Sequence, residues 1–218
     1  KIKKGTMQLI NLEKARELYN SFGTEPEVSG GSGANTIYGL ASLGLPTSYV
    51  GKVKDDFLGN RFKSDLLKMN IHYETKLCDK RTLAETGRCI IFVTPDGERS
   101  MNTYLGVTEN LQSSDIVIDT ITQSEWIYLE GYRLDGVNSE LAFAKAIQTA
   151  KTSFSKIALT LSDPFCVERN IKAFKKIIRD CVDILFCNEA ELKLLCGTNN
   201  LDDAIRKSSI EVPMLVCT

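Results

Sequence analysis

In the second half of the chain, short apolar runs alternate with longer segments whose apolar residues recur every three or four positions. Such runs are typical of buried parallel strands, and the longer periodicity is typical of amphipathic helices. The predicted strands are 126–129, 157–161, 184–187 and 214–217, and the predicted helices are 138–152, 167–180, 189–195 and 202–208. This order predicts βαβ units and a mainly parallel sheet with helices on both faces, an α/β fold.

The first half of the chain mixes helical and extended patterns. We predict helices over 12–21 (with Asn11 as its cap), 36–43 (ending at Gly44) and 56–69, and a short strand over 49–53. Three extended runs follow, at 73–78, 86–95 and 99–104. The last two are joined by Asp96-Gly97, which is a strong hairpin signal. This β-rich segment predicts a small sheet that projects from the main domain.

Charge and composition exclude several classes of partner. The 218 residues contain 27 Lys and Arg against 28 Asp and Glu, a net charge of −1. This balance predicts neither a nucleic-acid nor a membrane partner, and no apolar run approaches the roughly 20 residues that span a bilayer. The seven cysteines form no CxxC pair, so we expect buried, reduced thiols and a cytoplasmic protein.

The chain contains a single histidine, His72. A Ser-His-Asp or Cys-His relay would have to use it, and a metal site with several histidines is excluded. Because polar and apolar residues alternate around His72, we expect it at the surface or half buried. Chemistry here therefore depends on carboxylates, lysines or backbone amides, or is completed by groups outside this chain.

A glycine-rich segment, Gly30-Gly31-Ser32-Gly33-Ala34-Asn35, leads from an extended stretch into a helix. Its glycines allow a tight turn and let a ligand approach the main-chain N–H groups of a helix N-terminus. It is neither a Walker A loop nor a GxGxxG motif. A plain strand-to-helix turn remains an open alternative.

Further short motifs follow in a fixed order. The segments are Leu43-Gly44, Val50 to Gly59, Thr86-Gly87 with Asp96 to Arg99, Leu129-Glu130-Gly131, and Asn188 to Glu191. With the glycine-rich segment they resemble the ribokinase-like (phosphofructokinase B) family of carbohydrate and nucleoside kinases, over 28–218. Ile37 and Lys54 depart from the usual signature. Residues 128–132 and 161–165 resemble the adenosine-kinase-like members.

The resemblance implies ATP-dependent phosphorylation of a hydroxyl group of a sugar or nucleoside, with adenosine, ribose or fructose as the leading acceptors. It places Gly30, Gly31 and Asn35 at the acceptor hydroxyls, where neutral amide groups suit a polyol. It also places Glu130 against the sugar, although a solvated strand-end residue is an alternative. A non-catalytic relative that senses a sugar or nucleoside remains a second hypothesis, and an α/β domain without a small-molecule role a third.

The resemblance also implies ATP and Mg²⁺ as cofactors. The residues expected near the nucleotide and its phosphates are Asp163, Arg169, Asn188, Glu191 and Thr218. Glu191 would hold Mg²⁺ through water, at the strand ends where open α/β sheets bind ligands. Alternatively, Glu189 and Glu191 are ordinary acids that favour the helix dipole.

The implied organisation is a lid, 1–29 and 71–108, and a main α/β domain, 30–70 and 109–218. A lid sheet of this kind excludes water from the acceptor and can pair into a homodimer. The catalytic Asp of the family's Gly-Ala-Gly-Asp element is absent, so we expect it beyond Thr218. The chain therefore looks truncated at both ends, and we expect roughly 20–40 further residues before it and about 100 after it.

Overall fold

The computed structural model describes residues 4–22 and 27–218. The chain separates into two compact units, with the boundary after Leu111. We call them the N-terminal unit and the C-terminal unit. Among the described residues, no helix is both long enough and apolar enough to cross a membrane.

The N-terminal unit contains three helices and a three-stranded sheet. The elements are β1 (Met7–Leu9), α1 (Leu12–Phe22), α2 (Ser32–Ser42), α3 (Phe57–Lys68), β2 (Arg88–Val93) and β3 (Arg99–Tyr104). The strand order is β1-β3-β2, with β1 parallel and β2 antiparallel to the central strand. Asn11 caps α1, because its Oδ1 accepts the Lys14 N–H at 2.9 Å, and Gly44 follows α2 with φ +83°; both predictions are confirmed.

The hairpin between β2 and β3 is confirmed. Thr94 N–H donates to the Glu98 carbonyl at 3.0 Å, and Gly97 N–H donates to the Thr94 carbonyl at 2.8 Å. Gly97 has φ +82°, a conformation that glycine adopts without strain. The Asp-Gly signal was sufficient because the turn is a local requirement.

The predicted strand at 49–53 and the extended run at 73–78 do not form a ladder. They meet only at two isolated parallel bridges, Ser48 with His72 and Lys54 with Cys78. Between the bridges, the Gly51 carbonyl accepts the Tyr73 hydroxyl at 2.8 Å. The strand prediction at 49–53 is therefore wrong, because the two segments pair only through isolated bridges.

The apolar residues of these segments pack into the core of the N-terminal unit. Buried residues of the cluster are Val53, Leu66, Ile71 and Tyr73. Tyr49 packs edge-on against Phe62, with ring centroids 5.6 Å apart, an arrangement that aromatic quadrupoles favour. Burial of alternate residues explains why the sequence resembles a strand even though the backbone pairing is incomplete.

The C-terminal unit confirms the alternation of strands and helices. Its strands are β4 (Trp126–Glu130), β5 (Lys156–Thr160), β6 (Ile184–Cys187) and β7 (Met214–Cys217), and its helices are α4 (Ile118–Thr122), α5 (Val137–Ser153), α6 (Pro164–Cys181), α7 (Glu189–Cys196) and α8 (Leu201–Glu211). All four strands are parallel, in the order β4-β5-β6-β7. The register places Leu129, Leu159, Leu185 and Leu215 side by side across the sheet. This continuous apolar row explains the strand prediction.

The single histidine and the cysteines have ordinary environments. His72 is exposed, with Nε2 3.3 Å from Glu74 Oε1, as expected for a surface residue. All seven cysteines are free thiols. The expectation of burial holds for Cys166 and Cys187 but is wrong for Cys89, which lies on the exposed face of β2.

Candidate functional site

The glycine-rich segment enters its helix earlier than predicted. Helix α2 begins at Ser32 rather than at Thr36, so Gly33 and Ala34 lie in its first turn and are buried. Gly31 precedes the helix with φ +104° and ψ 144°, a combination that other residues adopt only under strain. A Cβ on Gly31 would meet nothing within 4 Å. The glycine is therefore required for its backbone conformation, and it leaves open space beside the helix.

Gly30, Gly31 and Asn35 lie close together on the surface of the N-terminal unit. All three are exposed, and Asn35 Oδ1 is 3.9 Å from the position of a Cβ on Gly30. The Asn35 N–H donates to the Gly31 carbonyl at 2.8 Å, which begins the helix. The first-turn N–H groups and a carboxamide are thus presented at one place, as a hydroxyl-bearing ligand requires.

The motif Val50 to Gly59 has a structural role that sequence reasoning missed. Asp56 caps α3, because its Oδ1 accepts the Gly59 N–H at 2.8 Å. The same carboxylate accepts the Thr86 N–H at 2.9 Å and the Thr86 hydroxyl at 2.7 Å. A Cβ on Gly59 would lie 2.0 Å from the Lys54 carbonyl oxygen. These residues therefore fasten α3 to the segment that leads into β2.

In the C-terminal unit, Glu130 ends β4 at the carboxyl edge of the sheet. Its Oε1 is buried and has no hydrogen-bond partner among the described residues. A buried acceptor without a donor destabilises a protein by about 1–3 kcal/mol. The site therefore favours a ligand that donates a hydrogen bond to this oxygen.

A tight turn follows β5 at the same edge. Ser162 has φ +78°, and the Asp163 N–H donates to the Leu161 carbonyl at 3.1 Å. This three-residue turn is rare and strained, and strain of this kind clusters at functional sites. Asp163 then caps α6, because its Oδ1 accepts the Cys166 N–H at 2.7 Å.

Tyr132 links the segments after β4 and β5, and sequence reasoning did not single it out. Its N–H donates to Ser162 Oγ and its hydroxyl donates to the Ser162 carbonyl, both at 3.3 Å. Burial raises the pKa of Tyr132 well above its usual value, and the negative charges of Asp163 and Glu130 raise that pKa further. Glu130, Tyr132 and Asp163 therefore lie close enough to interact.

Asn188 and Glu191 form a reciprocal cap at the start of α7. Asn188 Oδ1 accepts the Glu191 N–H at 2.8 Å, while Glu191 Oε2 accepts the Asn188 N–H at 2.9 Å and Oε1 accepts the Asn188 side-chain amide at 3.0 Å. Glu191 is only 4% exposed. Burial raises its pKa, the Asn188 N–H lowers it, and the charge of Asp163 raises it. The pair thus has a capping role, whatever else it does.

The remaining predicted residues lie at two places. Thr218 is beside the start of α7, because its N–H donates to the Cys187 carbonyl and its own carbonyl accepts the Glu189 N–H. Arg169 makes a two-point ion pair with Asp135. Among the described residues, no group of three or more His, Cys, Asp or Glu side chains is arranged to hold a metal ion directly.

Comparison with known proteins identifies the family. The family model for pfkB family carbohydrate kinases matches residues 7–214. The chain belongs to this family. Its fold is the ribokinase-like α/β fold, as the resemblance implied.

Three relatives illustrate the similarity. The adenosine kinase structure from Sinorhizobium meliloti is 41% identical with TM-score 0.91, covering 100% of this chain and 66% of its own. A probable sugar kinase structure from Rhizobium etli CFN 42 is 36% identical with TM-score 0.91, over the same shares. Fructokinase-2 from Solanum lycopersicum is 25% identical over 179 residues, which are 80% of this chain and 54% of the relative. The chain thus spans about half to two thirds of these proteins.

Proposed function

We propose that the protein containing this chain is an ATP-dependent kinase that transfers phosphate to a hydroxyl group of a sugar or nucleoside. Membership of the pfkB family over 7–214 supports this proposal. We place adenosine first among the acceptors, followed by ribose and fructose. The 41% identity to an adenosine kinase along the whole chain supports that order.

The observation that carries the proposal is the unpartnered oxygen of Glu130. It is a buried carboxylate oxygen at the carboxyl edge of a parallel sheet, where open α/β sheets bind ligands. A carboxylate only accepts hydrogen bonds, so it selects a ligand that carries O–H or N–H groups. Sugars and nucleosides both meet this requirement.

In the N-terminal unit, we propose Gly30, Gly31 and Asn35 as residues that bind hydroxyl groups of the acceptor. Gly30 and Gly31 offer backbone amides, and Asn35 offers a carboxamide with both a donor and an acceptor. Their exposure and the open space beside Gly31 support this assignment.

We propose that the nucleotide phosphates bind at the carboxyl edge with Mg²⁺. The proposed contacts are Asp163, Asn188, Glu191 and Thr218. The fifth residue expected there, Arg169, has its Nε and Nη2 groups paired with Asp135. The donor set fits a hard divalent cation, because Asp163 and Glu191 offer carboxylate oxygens, which such cations prefer as ligands. A cation would also offset the repulsion between these two carboxyl groups and the phosphates. Both Glu191 oxygens accept hydrogen bonds from Asn188, which supports contact with Mg²⁺ through water rather than directly. When bound, Mg²⁺ neutralises phosphate charge.

The kinase proposal is tested with the full-length protein in a coupled ADP-release assay over a panel of sugars and nucleosides. We expect turnover with at least one acceptor. Glu130→Gln should raise the acceptor KM about 10- to 100-fold, because a hydrogen bond to a charged group is lost. Glu125→Gln is the matched control, since Glu125 is exposed and precedes the opposite end of β4.

Two other outcomes would contradict either the kinase activity or the proposed role of Glu130. Binding of an acceptor by calorimetry without ADP release would support the sensor hypothesis instead. Turnover that is unaffected by Glu130→Gln would separate Glu130 from the acceptor while leaving the kinase activity in place.

We further propose that the sheet β1-β3-β2 is part of a lid and pairs with the same sheet of a second copy. One face of this sheet is apolar and exposed, with Leu9 62%, Ile91 50% and Val93 66% exposed. An exposed apolar sheet face of this kind is typical of an interaction surface, and an identical face is a complementary partner.

Sedimentation of the full-length protein tests the homodimer. Ile91→Lys should convert a dimer into a monomer, because it buries a charge in the interface. Ile210→Lys is the control, since Ile210 is 83% exposed in α8 of the other unit. A wild-type protein that sediments as a monomer at all concentrations would contradict this proposal.

We also propose a cytoplasmic location. All seven cysteines are free thiols, and dispersed free thiols are typical of proteins in a reducing compartment. Fractionation of the source cells tests this location.

A further inference from the structure

The segment after β4 is hydrogen-bonded to α6 through the carboxylate of Asp135. Asp135 Oδ1 accepts hydrogen bonds from Arg169 Nε at 3.1 Å and from Asn170 Nδ2 at 2.7 Å. Asp135 Oδ2 accepts a bond from Arg169 Nη2 at 2.5 Å. A guanidinium that donates two parallel bonds to one carboxylate defines orientation as well as distance. We call Asp135, Arg169 and Asn170 the clamp.

The clamp coincides with an interruption in α6. Asn170 has φ −121° and ψ 19°, outside the helical range, within a helix that otherwise runs from Pro164 to Cys181. Its Nδ2 also donates to the Cys166 carbonyl at 3.1 Å. The bond to Asp135 offsets the loss of regular helix at this position. Residues 164–169 are therefore tied to the segment after β4 as well as to the rest of α6.

Each of the two helices joined by the clamp directly follows a proposed ligand-binding residue. Asp135 ends a 3-10 helix, Gly131–Asp135, that directly follows Glu130. At the other side, α6 directly follows Asp163. The two bonds that join these segments nearer the sheet, from Tyr132 to Ser162, are both 3.3 Å long and therefore weak. The clamp supplies the shorter, charge-assisted contacts.

We propose that Arg169 and Asn170 act through Asp135 as positioning residues, which hold Glu130 and Asp163 at a constant separation for the substrate. This inference rests on the proposed kinase function and assigns Arg169 a role other than phosphate contact. The guanidinium edge formed by Nε and Nη2 is engaged by Asp135, so it is not available to a phosphate.

The exposure of the clamp distinguishes a positioning role from a stabilising one. The side chains of Arg169 and Asp135 are 55% and 31% exposed. Ion pairs of this exposure contribute little to global stability. In contrast, hydrogen-bond lengths vary by only a few tenths of an ångström, so a shift of about 1 Å at Glu130 would break its hydrogen bond to the acceptor. Loss of the clamp should therefore change substrate binding much more than it changes the stability of the fold.

The test uses the full-length protein with Asp135→Asn, Arg169→Gln and the double variant. We expect each single variant to raise the acceptor KM about tenfold with little change in kcat. The double variant should be no worse than either single variant, because both remove the same contact. Amide exchange at 131–136 and 162–169 should become faster, while the melting temperature stays within about 2 °C of wild type. Arg169→Lys, which keeps the charge without the paired bonds, should give an intermediate KM.

Arg179→Gln is the matched control, because Arg179 lies later in α6 and pairs with its own neighbour Asp180. It should change neither KM nor exchange. An unchanged KM and unchanged exchange in Asp135→Asn would overturn the proposal, as would additive effects in the double variant. If the wild-type protein phosphorylates no acceptor, the kinase proposal fails separately. The exchange measurement then still decides whether the clamp orders 131–136.

Discussion

The two regions that carry the proposed ligand contacts are built in opposite ways. In the N-terminal unit, Gly30 and Gly31 are exposed backbone, and a Cβ on Gly31 would meet nothing within 4 Å. In the C-terminal unit, the carboxyl edge of the sheet consists of side chains such as Glu191, which is buried and hydrogen-bonded on both oxygens. The first region depends on one residue's conformation, whereas the second depends on many mutual contacts.

This difference explains why similar motifs have different roles. The glycine before α2 is needed because its φ is positive, so its structural role can be predicted from a few neighbouring residues. The Asn188-x-x-Glu191 motif and Asp56 cap helices through hydrogen bonds. These side chains therefore have a structural role whether or not they also contact a ligand. A motif that identifies a family therefore need not touch the ligand.

The strongest loss of stability should come from adding a Cβ at Gly131, and Gly136 provides the comparison. Gly131→Ala would place a Cβ 2.5 Å from Phe174 Cζ, and Phe174 is fully buried. We expect the free energy of unfolding to fall by about 3 kcal/mol, because a packed core cannot yield. Urea denaturation of the full-length protein measures this. Gly136→Ala is the control, since the nearest atom, Ser139 Oγ, lies 3.2 Å away at the end of a side chain. Equal losses in both variants would contradict the steric explanation.

The next prediction concerns the reciprocal cap of α7. Glu191→Ala leaves the Asn188 N–H and side-chain amide without their acceptor and should lower the free energy of unfolding by about 2 kcal/mol. Glu189→Ala should change it by less than about 0.5 kcal/mol, because Glu189 is exposed and its ion pair with Lys193 lies on the helix surface. A small effect of both substitutions would show that the hydrogen bonds between Asn188 and Glu191 do not stabilise the start of α7.

A smaller effect is expected at the glycine turn. Gly31→Ala introduces backbone strain without a clash and should lower the free energy of unfolding by about 1 kcal/mol. It should also raise the acceptor KM, because the turn moves. Gly39→Ala is matched, since a Cβ on Gly39 also meets nothing within 4 Å, but its φ is ordinary and it lies inside α2. That variant should be slightly stabilised. Equal effects would mean that the Gly31 conformation is unimportant.

The smallest effects concern how the free energy of unfolding depends on pH through two carboxyl groups. The two contributions should have opposite signs. Burial raises the pKa of Asp135, but the bonds from Arg169 and Asn170 outweigh burial, so the pKa is lowered. Ionised Asp135 therefore adds to the free energy of unfolding at pH values above its pKa in the unfolded chain. This contribution is lost as the pH falls through its pKa in the folded protein. Burial raises the pKa of Glu191, so its contribution is present below its unfolded pKa and is lost as pH rises through the folded pKa.

Urea denaturation between about pH 3 and 7 measures these dependences. The stability of wild type relative to Asp135→Asn should fall on acidification. The stability of wild type relative to Glu191→Gln should rise on acidification. Two difference curves of the same sign would contradict the assigned causes.

Much of the fold could be predicted because its signals are local. The hairpin at Asp96-Gly97, the cap at Asn11 and the four apolar strands depend on neighbouring residues. The start of α2 was misplaced, because the glycines suggested a longer turn. The strand predicted at 49–53 was wrong, because strand pairing depends on a partner segment about 20 residues away, and its absence leaves no local signal.

The sequence suggested the residues of the candidate site but not their structural partners. The spacing Asn188-x-x-Glu191 is itself a capping-box pattern, so its structural role could have been found in the sequence. Tyr132 and the ion pair of Arg169 with Asp135 could not, because they join residues about 30 positions apart.

Backbone preference and hydrophobic periodicity act over a few residues, so the order of strands and helices, the family and the glycine turn follow from the sequence alone. Only the tertiary structure decided that Glu130 keeps an unpartnered buried oxygen and that Arg169 binds Asp135. Burial and hydrogen bonding depend on groups that folding brings together from distant parts of the chain, and these groups also decide the charge state of a carboxyl.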